Sequence, residues 1–220
     1  MLAMGCKNST LCLVIKNLGP VFTLKIILSK IFCCCHYFCI SFYIRRSNNN
    51  FRMRRDITLT RANQGDWNLI IQRIPDFPKK ERKEIIRRYR FLKNGFFDSC
   101  FLGKNRQNEI VSMQCLIEPR HNELIDKKLR NVWPILKNNE VMLEELYIFP
   151  KFRTVGIFPT INLLILKIAQ DKGYTVCRSF IRKENILSLN GFLGLGFKIE
   201  KLFTQINFLG NSWRFTKPLS

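Results

Sequence analysis

The most constraining stretch of this sequence runs from residue 141 to residue 173. Residues 141–148 are an apolar run of strand length. A basic turn follows, Phe149-Pro150-Lys151-Phe152-Arg153-Thr154-Val155-Gly156, and then a strongly apolar helix over about residues 159–170, closed by the stop signal Asp171-Lys172-Gly173. A strand that passes through a basic, glycine-bearing turn into a helix builds an anion site. The amides of the first helical turn have no partner within the helix, and the helix dipole adds partial positive charge there. Arg153 adds a full charge and a donor set suited to phosphate. With a single glycine, the turn is not specific by itself.

Strand and helix patterns alternate around this unit. Residues 57–60 alternate like a half-buried strand, and Asp66 is placed to cap a helix over residues 67–74. Pro78 opens a charged helix that ends near Asn94-Gly95. Its inward side is Ile85, Ile86, Tyr89 and Leu92, and its basic residues, Arg87, Arg88 and Arg90 among them, read as the solvated side. Residues 99–103 and 110–117 are strands joined by a polar turn, a hairpin pattern. Residues 118–139 read as loop and helix, with His121 at the surface. Residues 175–181 form a strand, Asn185 starts a helix that ends at Gly196-Phe197, and residues 199–209 and 212–216 supply two last strands. Upstream, residues 20–36 predict an amphipathic helix and 37–44 a strand, before the polar break Ser47-Asn48-Asn49-Asn50. Residues 1–50 are therefore expected as a basic, aromatic, cysteine-rich extension and 51–220 as the main domain.

Charge narrows the partners. The chain carries 37 Lys and Arg against 16 Asp and Glu, a net of +21, which attracts nucleic acid, anionic membrane surfaces or a phosphorylated co-substrate. Of these, nucleic acid is the lesser expectation. Nine cysteines, an odd number without regular spacing, exclude a disulfide framework and fit a reducing cytoplasm. Cys33, Cys34, Cys35, His36 and Cys39 contain no CxxC pair and have no second ligand pair downstream, so no metal is expected. The uncharged stretch from residue 31 to residue 44 is shorter than the roughly 20 residues of a membrane span. Peripheral contact with a membrane surface through residues 20–46 stays open.

The segment Leu143-Glu144-Glu145-Leu146-Tyr147-Ile148-Phe149-Pro150-Lys151-Phe152-Arg153-Thr154-Val155-Gly156-Ile157 resembles the signature of the GNAT superfamily of acyl-CoA-dependent N-acyltransferases. There, a strand ending in an aliphatic residue and Pro leads into an Arg/Gln-x-x-Gly-x-Gly/Ala turn and a helix. Asn185-x-x-Ser188-x-x-x-Phe192-x-x-x-Gly196-Phe197 is similar to the superfamily's Asn-x-x-Ala-x-x-x-Tyr-x-x-x-Gly-Phe segment, at the expected distance. The resemblance covers about residues 57–216. It implies an α/β fold: a mixed, splayed sheet with helices on both faces, here with an N-terminal helical and strand extension. It also implies transfer of an acyl group, acetyl first among them, from acyl-CoA to an amine. Acyl-CoA would lie in the gap between the strand ending at Ile148 and the strand after it. The backbone of Val155, Gly156, Ile157 and Phe158 would hold the diphosphate, with Arg153 and Thr154 shaping the turn. Tyr147 and Ile148 would pair with the pantetheine arm, and Asn185 and Phe192 would contact the co-substrate from the far side.

Two departures stand out. Phe158 occupies the second Gly/Ala position of the turn, although only its amide is needed. Phe192 replaces the Tyr that protonates the departing thiolate in the superfamily, which leaves Tyr174 or water to serve. A catalytically degenerate scaffold that binds nucleic acid, the ribosome or an anionic membrane surface is the alternative reading. Glu144 and Glu145 are the candidate bases; strand alternation lets only one of them face the cleft.

Overall fold

The computed structural model describes residues 32–44, 53–130, 132–209 and 211–217, together with Gly19 and Val21. Eight strands form one sheet: β1 (Phe32–Tyr43), β2 (Thr58–Arg61), β3 (Cys100–Lys104), β4 (Ile110–Ile117), β5 (Glu140–Ile148), β6 (Val176–Arg182), β7 (Lys198–Phe208) and β8 (Asn211–Lys217). Their spatial order is β2-β3-β4-β5-β6-β1-β7-β8. The main helices are α1 (Gln64–Gln72), α2 (Lys79–Phe91), α3 (Asn122–Leu129), α4 (Ile157–Asp171) and α5 (Ile186–Gly194).

The helices divide between the two faces, as the side-chain alternation of β5 records. Met142 packs into a cluster with Trp67 and Ile70 of α1, Ile85, Ile86 and Tyr89 of α2 and Ile125 of α3. Its neighbours Val141 and Leu143 pack instead with Ile165, Leu166 and Ala169 of α4 and Leu189 and Phe192 of α5. A strand buried on both faces needs apolar residues at successive positions, and residues 141–143 supply them. Each such side chain contributes about 1.5–3 kcal/mol on burial.

β1 departs most from the sequence reading. Periodicity predicts a helix over residues 20–36, and the polar break after residue 46 a domain edge at residue 50. Residues 32–36 are instead strand, and β1 lies antiparallel between β6 and β7, inside the sheet. Cys39 and Ile40 are successive and both buried, the mark of an interior strand. The residues of the expected helix from 22 to 31 lie outside the described residues, as do Arg45 and Arg46 of the candidate membrane segment. No helix among the described residues is long and apolar enough to cross a membrane, and none of their His, Cys, Asp and Glu side chains form a metal-sized cluster.

Smaller corrections have local causes. Asn63, not Asp66, caps α1; Asp66 closes a capping box by accepting from the Asn63 amide at 3.1 Å. His121 is buried, its Nδ1 accepting from the amide of Glu118 at 3.0 Å.

One junction positions everything that follows. β5 and β6 pair in parallel only over Glu140–Met142 with Val176–Arg178. Beyond them the strands part, and Glu145 adopts φ 58° where the β4–β5 register shifts.

Candidate active site

The N-terminus of α4 is built by backbone geometry. Gly156 precedes the helix at φ 87°, a left-handed conformation free of a Cβ penalty only for glycine. Ile157 packs with Ile57, Val111 and Ile161 and pins the turn to the sheet, while Val155 is 98% exposed. The Ile157 amide makes a long bond of 3.4 Å to the Thr154 carbonyl. Among the described residues the amides of Val155, Gly156 and Phe158 have no acceptor. Three donors therefore stand open at the positive end of a 15-residue helix.

The guanidinium at this mouth is that of Arg54, itself paired with Asp56, and the sequence reading missed it. Its Cγ and Cδ approach within 3.5 Å of where a Cβ on Gly156 would sit, and its Nη1 donates to Thr154 Oγ1 at 3.3 Å. Its amide donates to Thr160 Oγ1 at 2.9 Å, and Asp56 holds the guanidinium at 2.6 Å. Arg153 turns elsewhere. Its Nη1 and Nη2 donate to Glu81 of α2 at 2.9 and 2.6 Å, and its Nε donates to the Ile148 carbonyl at 3.0 Å. Tyr147 donates its hydroxyl to the same Glu81 at 2.6 Å. Burial, then the Glu81 bond, pushes this phenol above its usual range. Arg153 thus fastens the turn to α2, with its charge neutralised.

The parted end of the β5–β6 junction encloses a cavity of about 560 Å³. Glu144 stands in the opening, where its carboxylate accepts from the Phe180 amide at 3.2 Å. That amide would serve a neighbouring strand if the sheet were closed. Burial, then the charge of Glu145, raises the Glu144 carboxyl to about 8, against weaker pulls from the Phe180 amide, Arg214 and Arg87. Alternation predicts that Glu144 and Glu145 face opposite sides. The positive φ at Glu145 breaks that alternation, and both line the cavity.

The two carboxylates have different surroundings. Glu145 pairs with Arg87 at 2.8 Å and with Arg88 at 3.7 Å. Arg88, only 7% exposed, also donates to the carbonyls of Glu145 and Leu146 at 3.1 and 2.9 Å and to Glu84 at 2.8 Å. Arg88 is therefore a buried brace of the bulge, not a member of a solvated face, whereas Arg87 reaches Glu145 from the exposed side of α2. Glu145 belongs to this brace, whereas Glu144 makes no ion pair among the described residues.

The remaining candidates fall on both sides of this division. Asn185 and Phe192 line the cavity, and Asn185 also caps α5 by accepting from the Ser188 amide at 3.3 Å. Tyr174 is not among the lining residues. It sits at the paired end of the junction, and its hydroxyl donates to Glu118 at 3.2 Å. The phenol that lines the cavity is Tyr37 of β1, whose oxygen accepts from Arg182 Nε at 3.3 Å. Tyr147, Ile148 and residues 153–158 lie outside the cavity lining. Between the mouth and the cavity stands Phe158, its ring 5.2 Å from that of Phe192 and so close to Gly191 that a Cβ there would lie 2.6 Å from it. The large side chain at the Gly/Ala position thus points toward α5, away from the open amides.

No family model matches the sequence, and no curated protein matches it. Solved structures do match. A GNAT-family acetyltransferase from Colwellia psychrerythraea superposes with a TM-score of 0.53 at 12% identity, over 80% of this chain and 57% of that one. A GCN5-related N-acetyltransferase from Sphaerobacter thermophilus gives 0.51 at 7% identity, over 93% of this chain and 59% of that one. The glucosamine N-acetyltransferase region of a fungal multi-domain β-N-acetylglucosaminidase gives 0.54 at 11% identity, over 89% of this chain and 22% of that one. The chain spans under two thirds of the length of each of these proteins. Its splayed, mixed sheet with helices on both faces is the fold of the GNAT acetyltransferases.

Proposed function

We propose that the chain is an N-acyltransferase that moves an acyl group, acetyl in the simplest case, from acyl-CoA to an amine. The observation that carries this reading is the parted β5–β6 junction with Glu144 inside it, beside a helix mouth of three unpartnered amides. Those amides and Arg54 would receive the CoA diphosphate. The free edge of β5 would receive the pantetheine arm as an added strand. Part of that edge is already engaged, since Arg88 and Arg153 hold the carbonyls of Glu145, Leu146 and Ile148.

The chemistry follows from the charges. Glu144, its carboxyl held near 8, takes the proton of the acceptor ammonium. The neutral nitrogen attacks the thioester carbonyl carbon, a C–N bond forms and the C–S bond breaks. The thiolate then takes a proton from Tyr37 or from water, because Phe192 has none to give, and the product nitrogen sheds its surplus proton to the phenolate or hydroxide so formed. Calorimetric titration of acetyl-CoA against the wild type and Gly156→Glu tests the reading. Binding to the wild type that the variant loses supports it, and no binding to the wild type removes it.

A further inference from the structure

Arg214 is the group in the cavity that this reading leaves unused. It projects from β8, where it pairs across the ladder with Gln205 of β7, and its Nη2 donates to Gln205 Oε1 at 3.0 Å. Its guanidinium then passes over the strands between and ends 4.5 Å from the ring of Phe180 on β6, with Tyr37 and Phe203 at 5.3 and 5.5 Å. Three aromatic rings thus hold one cation against the wall of the cavity. Its Nε and Nη1 are buried and have no hydrogen-bond partner among the described residues. Such an arrangement costs free energy unless something in the cavity completes it.

Location says which substrate does so. Arg214, Phe180, Val132 and Trp133 line the cavity at Glu144 and also a second cavity of about 570 Å³ beside it. That second space extends toward β8, on the side that holds none of the residues of the helix mouth. Phe158 stands between the helix mouth and the cavity at Glu144, whereas Arg214 enters that cavity from β8. A single guanidinium among aromatic rings matches a single negative charge.

We propose that Arg214, positioned by Gln205, receives a carboxylate of the acceptor, so that the amine acylated here belongs to a molecule carrying its own carboxylate. This rests on the acyltransfer reading above. Glu144 then faces the ammonium and Arg214 the carboxylate of one zwitterion.

The test uses saturation-transfer NMR on the full chain with matched pairs, L-phenylalanine against phenethylamine and L-leucine against isopentylamine, and acetyl-CoA and succinyl-CoA titrated separately. The proposal expects acetyl-CoA to bind wild type and Arg214→Gln alike. It expects at least one amino acid to bind over its decarboxylated partner, with Arg214→Gln weakening that amino acid on the order of 10- to 100-fold and Arg214→Lys restoring part of it. Equal binding within both pairs, no binding by any member, or indifference to Arg214→Gln overturns the proposal while leaving acetyl-CoA binding intact. A loss confined to succinyl-CoA also overturns it, because the carboxylate then belongs to the acyl group. Carboxylate binding without acetyl-CoA binding would instead remove the acyltransfer reading, and the acceptor assignment with it.

Discussion

The two ends of the β5–β6 junction lie within one pair of strands and differ in how their polar groups are satisfied. At the paired end, Glu118 accepts from Lys172 at 2.7 Å and Tyr174 at 3.2 Å, and Glu140 holds Arg178 at 3.1 Å. At the parted end, Gln114 Oε1, Glu145 Oε2 and two nitrogens of Arg214 are buried with no hydrogen-bond partner among the described residues. All three residues line one cavity. Buried polar groups are ordinarily bonded, so such a concentration marks a place shaped for something besides the chain itself. The same junction is therefore satisfied by the chain's own groups at one end and left open at the other among the described residues.

The largest effect that would break this contrast belongs to Glu144. Glu144→Gln is expected to lower the rate of thiol release from acetyl-CoA on the order of 100- to 10,000-fold while leaving acetyl-CoA affinity unchanged. In the wild type the rate rises with pH up to about 8, where the carboxyl ionises, and then levels. Stability carries the opposite sign. The folded carboxyl stays protonated above the pH at which the unfolded one ionises, so stability falls by at most about 1.4 kcal/mol per unit as pH rises toward 8, then flattens. Chemical denaturation of Glu144→Gln across that range should show this slope removed.

The helix mouth comes next. Gly156→Val forces a β-branched residue to φ 87°, a strain of order 1–3 kcal/mol. Calorimetry should show acetyl-CoA affinity reduced about 10- to 100-fold. Phe158→Ala removes the ring between mouth and cavity, and a severalfold tighter acetyl-CoA titration is expected; weaker binding would show that the ring supports the site. Tyr174→Phe supplies the smallest effect. It should leave turnover unchanged and cost about 1 kcal/mol in urea unfolding, because it loses one bond at the paired end. A rate loss there would return Tyr174 to the chemistry.

How legible each part was depended on the range of the interactions behind it. The strand, turn and helix around Gly156 were readable because local apolar runs and one glycine determine them. Glu144 was readable as a candidate, but its separation from Glu145 was not, because a positive φ at a non-glycine residue leaves no compositional mark. Arg88 had a usable signal: it is spaced three residues from Ile85 and four from Leu92, on the buried side of α2. Arg54, Tyr37 and Arg214 had none. Each reaches the site from a segment remote in sequence, and no local pattern reports that a β8 side chain crosses two strands to reach a third.

The seat of β1 bears on how the molecule assembles. The residues that fill the gap between β6 and β7 are made well before their partners, which run from Val176 to Phe208. Until ribosomes deliver those partners, β1 is an apolar ribbon with both hydrogen-bonding edges bare, a hazard for aggregation. Closing so long a loop is slow, so the half of the sheet carrying Tyr37 and Arg214 should mature last and depend most on chaperones.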